Sequence, residues 1–424
     1  GADRPAGRVR AGRSAVWARN GMVATSQPLA AQAGLRILQQ GGNAVDAAVA
    51  TAAVLNVVEP MSTGVGGDMF ALVWNAQTGE LKGLNGSGFS PQAATPEFFR
   101  KKGLGEIPMY GPFSVSTPGT VDGWVTLHKK YGSLKLDQVL APAVEYAEQG
   151  FPVSEIIAAY WAADGQAAAA RDPEFARAYF VNGRPPAHGE VFVNKPLAGT
   201  LRQIAQGGRD AFYKGEIARK IVARLNQLGW PLTLEDLAYQ RSDWVAPIST
   251  TYKDYRIYEL PPNGQGMAAL EMLNILEGFD LRKLGHNTAP YLHLLVESKK
   301  LAFADLDAWL ADPEKARLPV DRILSKEYAA RQRARIHPQR AATAVASGIP
   351  ESGDTVYLTV VDKDRNVVSF INSIFQNFGA SVVVPDTGIL LHNRGALFTL
   401  QEGHPNRLEG RKRPYHTIIP AMVF

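Results

Sequence analysis

A chain of 424 residues, 46% hydrophobic and 20% charged, has the composition of a folded protein with a large core, and its length suits two or three domains. The absence of cysteine excludes a disulfide framework, a thiol nucleophile, thiolate zinc sites and iron–sulfur clusters. Four of the five net positive charges come from residues 1–20, where Arg4, Arg8, Arg10, Arg13 and Arg19 face only Asp3, so the basic balance predicts a solvated arm and no nucleic-acid face.

No apolar signal core follows those arginines, which predicts a soluble protein, either cytoplasmic or exported with its signal already removed. The longest apolar run, Ala47 to Val58, is too short for the ~20 residues of a bilayer span and predicts a buried helix. Leu29, Ala33, Ile37 and Leu38 form the apolar stripe of an earlier helix, closed by Gly41-Gly42, and Asn43 caps the next one, which must stop before Pro60. Residues 69–74 and 81–84 predict strands joined by a turn at Asn75–Gly79. From about 125 to 340 the spacing predicts mostly helix, near 137–149, 198–228, 265–280 and 288–310, punctuated by Pro152, Pro185-Pro186, Pro247 and Pro261-Pro262. Residues 337–354 are small, polar and broken by Pro and Gly, which predicts an exposed, poorly ordered segment. They open at Thr355 into a strand over Val356–Val361, a turn at Asp362–Asn366 and a second strand over Val367–Ile371. The expected division is a basic arm (1–20), a larger portion with a helical middle (21–336), the flexible segment (337–354) and a smaller portion (355–424).

Most familiar chemistries lack their residues. His293 and Glu297 lie four apart on an expected helix, with Asp305, Asp307 and Asp312 nearby, but no His-Glu-x-x-His run exists; solvated faces and caps account for them, and no metal is expected. Gly64-Val65-Gly66-Gly67 follows a helix and precedes a strand, the reverse of a phosphate-binding order, so a structural turn is expected there. No Gly-x-Ser-x-Gly elbow is present, and the eight histidines are scattered. Thr355 offers another route. Cut between Asp354 and Thr355, the chain would gain a threonine whose own α-amine, titrating near ~8, accepts the proton of its hydroxyl. The β-branched methyl restricts the rotamer of that hydroxyl. Before the cut, the same oxygen can attack the Asp354 carbonyl to give an ester that water opens. Local pattern alone favours Thr355 as an ordinary strand residue over a catalytic one.

Several stretches carry a resemblance: Gly-Met-Val-Ala (21–24), Gly-Gly-Asn-Ala-Val-Asp-Ala-Ala-Val-Ala (41–50), Gly-Val-Gly-Gly (64–67), Pro-Gly-Thr-Val-Asp-Gly (118–123), Asp-Thr-Val-Tyr-Leu-Thr-Val-Val-Asp (354–362), Phe-Gly-Ala-Ser (378–381) and Lys-Arg-Pro (412–414). In this order and spacing, from about Gly21 to Phe424, the chain resembles the γ-glutamyltranspeptidase family of N-terminal-nucleophile hydrolases. The resemblance implies an α+β fold, a four-layer αββα sandwich. It also implies a precursor that cuts itself before Thr355 into fragments of 354 and 70 residues, which stay together as a heterodimer; the oligomeric state is left open. It makes Thr355 the expected nucleophile and base, needing neither metal nor organic cofactor, and Ser373 a supporting hydroxyl unless that serine faces solvent on its strand. The expected partner is a small amide or peptide substrate.

Departures from the family pattern shape the expected pocket. The loop Leu84–Pro91, with Phe89 in it, lacks the family's carboxylate-gripping arginine, and the segment His392–Phe398 lacks its ammonium-binding acid, Leu397 standing in that place. Phe375 replaces an asparagine, and His416-Thr417 replace a serine pair. Arg394, beside Asn393, either holds a substrate carboxylate bidentately or sits in a surface ion pair. The expected donor is therefore a γ-glutamyl or related anionic acyl amide. A glutaryl- or β-lactam-type acylase of the same fold is one alternative, and a catalytically dead binding or scaffold relative is the other. Family chains continue past Lys-Arg-Pro into a glycine-rich segment that binds the oxyanion, whereas this sequence stops at Phe424; truncation or low activity is the corresponding expectation.

Overall fold

The computed structural model describes residues 15–343 and 355–424, so most of the basic arm and the stretch from Ala344 to Asp354 lie outside the described residues. Apart from a short pair, Phe151–Pro152 with Val191–Phe192, the strands in chain order are β1 (Gly21–Thr25), β2 (Asp68–Asn75), β3 (Glu80–Gly86), β4 (Asp243–Val245), β5 (Ile248–Tyr252), β6 (Tyr255–Glu259), β7 (Val356–Asp362), β8 (Val367–Ser373), β9 (Val382–Val384), β10 (Ile389–Leu391) and β11 (Met422–Val423). Six of them form one antiparallel sheet in the order β1-β7-β8-β2-β3-β4, and three form a second in the order β11-β6-β5. The helices that pack on them include α1 (Pro28–Gln39), α2 (Ala44–Val58), α3 (Thr120–Tyr131), α4 (Leu136–Gln149), α5 (Lys195–Tyr213), α6 (Gly266–Leu276), α7 (Ala289–Trp309) and α8 (Lys326–Arg333).

Alternation along β2 sorts the layers. Met69, Ala71 and Val73 face a large core shared with α2, α3 and α4, whereas Phe70 and Leu72 face Leu260, Ile418 and Met422 on the side of the second sheet. Beyond that sheet, Met267 of α6 pairs with Ala302 and Leu306 of α7 in a further core. The result is helix, sheet, sheet, helix, the sandwich expected from the resemblance. Helix α2 is buried along its whole length because α1, α4 and the large sheet enclose it. Its start is fixed by a capping box, Asn43 accepting from the Val45 and Asp46 amides while Asp46 accepts from the Asn43 amide.

Seven of these strands escaped the sequence reading: β1, β9, β10 and β11, and β4, β5 and β6 inside the supposedly helical middle. Ser249-Thr250-Thr251-Tyr252 carries polar β-formers rather than an apolar alternation, and its burial comes only from the second sheet's partners. The acids on α7 also differ from expectation. Glu297 is only 4% exposed, not solvated; it accepts from Lys300 Nζ at 2.7 Å and from the Ala342 amide at 3.1 Å. Asp312 is buried and accepts from the Glu314 and Arg413 amides at 3.0 and 2.8 Å. The Gly64–Gly67 loop is the structural turn its sequence suggests. A Cβ on Gly67 would lie 2.4 Å from the Ser373 carbonyl oxygen, so only glycine lets this loop close on the end of β8.

Candidate active site

Strand register assembles the site. β7 and β8 pair Val361 with Val367 and Val356 with Asn372, and one step further that register sets Thr355 opposite Ser373. On the other side of β8, Ser373 pairs with Asp68. Residues in such a row share a face, so all three side chains project into the space between the two sheets, on the side of Phe70 and Ile371.

Thr355 Oγ1 and Ser373 Oγ are 3.0 Å apart. Ser373 Oγ also accepts from the Phe375 amide at 2.9 Å and from Arg394 Nη2 at 3.0 Å. With two donors arriving, the serine has its own proton to give, and Thr355 Oγ1 is within reach of it. Ser373 is fully buried, which rules out the solvent-facing alternative. Phe375 sits at φ 77°, a left-handed backbone unusual for a bulky residue, and this conformation turns its amide toward Ser373. Its ring lies 4.5 Å from the Arg394 guanidinium carbon.

Arg394 is fully buried in a 3₁₀ turn, Arg394–Leu397, which corrects the surface ion-pair alternative. Nη1 donates to Thr417 Oγ1 at 2.6 Å and Nη2 to Ser373, so its hydrogen-bond partners are hydroxyls rather than carboxylates. Two of five N–H donors are thus used, and Nε is buried without a partner among the described residues. Burial lowers the guanidinium to about 10, against the opposing pull of Asp68 and Tyr415.

Asp68 supplies the buried negative charge, and the sequence reading missed it. Its Oδ1 accepts the Gly88 and Gly119 amides at 3.0 and 3.1 Å; its Oδ2 lies 3.1 Å from His416 Nε2 and 3.5 Å from His392 Nδ1. Burial pushes this carboxyl up, but His392, His416 and Arg394 outweigh it and hold it below the ordinary carboxylate range. His416 is pushed down to about 3, first by burial and then by the Arg394 cation, so it is neutral at pH 7. Its Nε2–H donates to Asp68, and Nδ1 faces the Ile418 amide at 3.5 Å. His392 is lowered by burial, with Asp68 opposing, and its Nε2 bonds the Ser116 carbonyl at 3.0 Å. An acid directly after a glycine run and at the head of an apolar strand is the sequence signal that marks Asp68 in retrospect.

The remaining expected pocket residues divide. Thr417 and Phe375 meet at Arg394, and His416 adjoins them through Asp68. Asn393 is committed to backbone, accepting from the Gln376 amide and donating to the Met109 carbonyl at 2.8 Å. Phe89 lies elsewhere: its ring stacks under Arg413 and Arg241, 4.3 and 4.8 Å from the guanidinium carbons. Arg413, from the Lys-Arg-Pro motif, also pairs with Asp243 at 2.7 Å and donates to the Ser87 carbonyl, so it braces the arginine-free loop. Asp354 is outside the described residues. Past the 3₁₀ turn opens a cavity of about 660 Å³, walled by Leu397, Phe398, Met109, Leu306 and Tyr415, with Asp307 among its polar lining. Among the described residues no helix is long and apolar enough to cross a membrane.

The family model that matches, over residues 30–424, is that of gamma-glutamyltranspeptidase. The glutathione hydrolase-like YwrD proenzyme of Bacillus subtilis (strain 168) is 44% identical over 95% of this chain and 76% of that protein. The oxamate amidohydrolase proenzyme of Klebsiella pneumoniae is 36% identical over 95% of this chain and 76% of that protein. Among solved structures, cephalosporin acylase from Bacillus halodurans superimposes with a TM-score of 0.92 at 45% identity, covering 99% of this chain and 78% of that one. With its sandwich fold and its match across nearly the whole length, the chain belongs to the gamma-glutamyltranspeptidase family.

Proposed function

We propose that this protein is a self-processing amidohydrolase whose nucleophile is Thr355, acting on amides of short anionic acyl groups. The observation that carries the reading is the 3.0 Å contact of Thr355 Oγ1 with a serine hydroxyl that itself accepts from a buried guanidinium. In the precursor, Thr355 Oγ1 adds to the Asp354 carbonyl, the peptide C–N bond breaks, and water opens the resulting ester. The new α-amine then takes the hydroxyl proton as Oγ1 attacks a substrate amide, and that proton leaves with the departing amine. Water or an acceptor amine resolves the acyl-threonine ester, returning the free hydroxyl. The two fragments stay together as a heterodimer.

Substrate choice follows from charge. Arg394 brings a guanidinium charge next to Ser373 that favours an acyl carboxylate, while Leu397 in the adjoining cavity offers nothing to the ammonium of a γ-glutamyl group. One relative is named for oxamate amidohydrolase activity, and oxamate is the amide of an anionic acyl group without a free α-amine, which supports this choice. One experiment tests both parts. Intact mass and end-group analysis of active protein should show a Thr355 start, and Thr355→Ala should remain one uncut chain with turnover reduced at least ~10³-fold. On the mature enzyme, kcat/KM for a glutaryl anilide should exceed that for the γ-glutamyl anilide; a strong preference for γ-glutamyl would refute the substrate assignment.

A further inference from the structure

We propose that Asp68 is a positioning residue for the reaction: through His416 it fixes the segment whose Thr417 holds Arg394 against Ser373, and its charge keeps that guanidinium in place. The inference rests on the reading of Thr355 and Ser373 given above and extends it to a residue on a different strand.

Three observations converge. The first is placement, since Asp68 stands in the same cross-strand row as Ser373 and Thr355 and is fully buried. The second is connectivity. His392 lies two residues before Arg394, and His416 lies one residue before Thr417, the hydroxyl that takes Arg394 Nη1. One carboxylate oxygen accepts from His416 Nε2 at 3.1 Å and so holds the segment that carries Thr417, while His392 Nδ1 lies 3.5 Å from it without a hydrogen bond among the described residues. The third is charge. Among the described residues Arg394 is hydrogen-bonded only to neutral hydroxyls, and Asp68 is the carboxylate whose field opposes the lowering of its pKa by burial. A buried cation without that counter-charge would turn away from Ser373 toward water.

The backbone around Asp68 is built for an anion. Oδ1 receives two amides, Gly88 and Gly119, and a Cβ on either residue would collide with backbone, 1.6 Å from the Thr117 oxygen and 2.0 Å from the Gly86 oxygen. Two loops thus bring bare N–H groups onto one carboxylate, and its other oxygen is left for the histidines. His416 is neutral and donates, so the negative charge stays on Asp68 to face Arg394. A residue placed in this way acts on the nucleophile in sequence, from Asp68 to Arg394 to Ser373 to Thr355.

A double-mutant cycle on kcat tests it, using full-length Asp68→Asn, Arg394→Gln and the double variant, each checked for native melting. Asp68→Asn keeps the size and the Oδ1 acceptor while removing the charge. Each single change should lower kcat ~100-fold with a smaller change in KM for a neutral butyryl anilide, and the double variant should be about as slow as either single one. Losses that multiply to ~10⁴-fold would show that Asp68 acts independently of Arg394 and would overturn the proposal. If a variant matures too slowly for kcat to be read, the rate constant of its slow self-cleavage replaces kcat in the same cycle, with the same two outcomes. End-group analysis of the wild type and the Thr355→Ala control report separately on the nucleophile, so failure of that reading is distinguishable from failure of the coupling.

Discussion

Asp68, at the head of β2 in the large sheet, and Glu259, at the end of β6 in the second, are both buried acids, yet their surroundings drive them in opposite directions. Asp68 collects two amides and the His416 imidazole, with His392 and the Arg394 guanidinium nearby, and is held ionised below the ordinary carboxylate range. Glu259, at the end of β6, has an oxygen buried without a partner among the described residues, and burial pushes it up to about 8. Glu271 on α6 is also pushed up, by burial and then by the Asp305 carboxylate. Burial alone neutralises an acid; an anion persists only where donors have been assembled around it. The contrast separates charge that is maintained at the reactive row from acid that the fold merely encloses.

The sharpest way to break this comparison is Asp68→Ala. It strands Arg394 as an uncompensated buried cation and should cost about 3–5 kcal/mol in urea unfolding of the uncut Thr355→Ala chain, used as a uniform background. A loss under about 1 kcal/mol would mean that Arg394 is compensated from elsewhere. Glu259→Gln should have a smaller effect that depends on pH. The neutral acid is the form the fold prefers, so its stabilisation is complete below about 4.5 and is lost as pH rises toward about 8. The wild type should therefore weaken relative to Glu259→Gln across that window, by on the order of 2 kcal/mol, as followed by denaturant midpoints at pH 5 and 8. Smallest should be Arg36→Ala, which removes a pair with Glu145 at 3.0 Å whose side chains are 54% and 48% exposed, at a cost under about 1 kcal/mol.

The juxtaposition of Thr355 and Ser373 was largely legible in the sequence. Two valine-rich runs flank the turn Asp362–Asn366, and a tight antiparallel hairpin over them sets Thr355 across from Ser373 without any knowledge of the rest. Its electrostatic surroundings were not legible. Asp68, His392 and His416 are separated by up to 348 residues along the chain, and nothing in the local pattern of any one of them announces the other two. Arg394 stood out as a charge near the right place, but its burial and its hydroxyl partners depend on how the 3₁₀ turn meets Thr417. Similarly, β5 and β6 were hidden because serine, threonine and tyrosine become strand residues only once α6 and the larger sheet cover them. Local order was written in periodicity, whereas charge compensation was written in tertiary contacts.

The order of strands in the large sheet also governs what a backbone break before Thr355 would do. β7 lies between β1 and β8, and β8 lies between β7 and β2, so two strands from the C-terminal portion are laced between strands from the N-terminal one. Dissociating the products would require unzipping the β1–β7 and β8–β2 ladders and opening the core on both faces. Dilution would not part such a pair, and its lifetime would be set by global unfolding rather than by an association equilibrium.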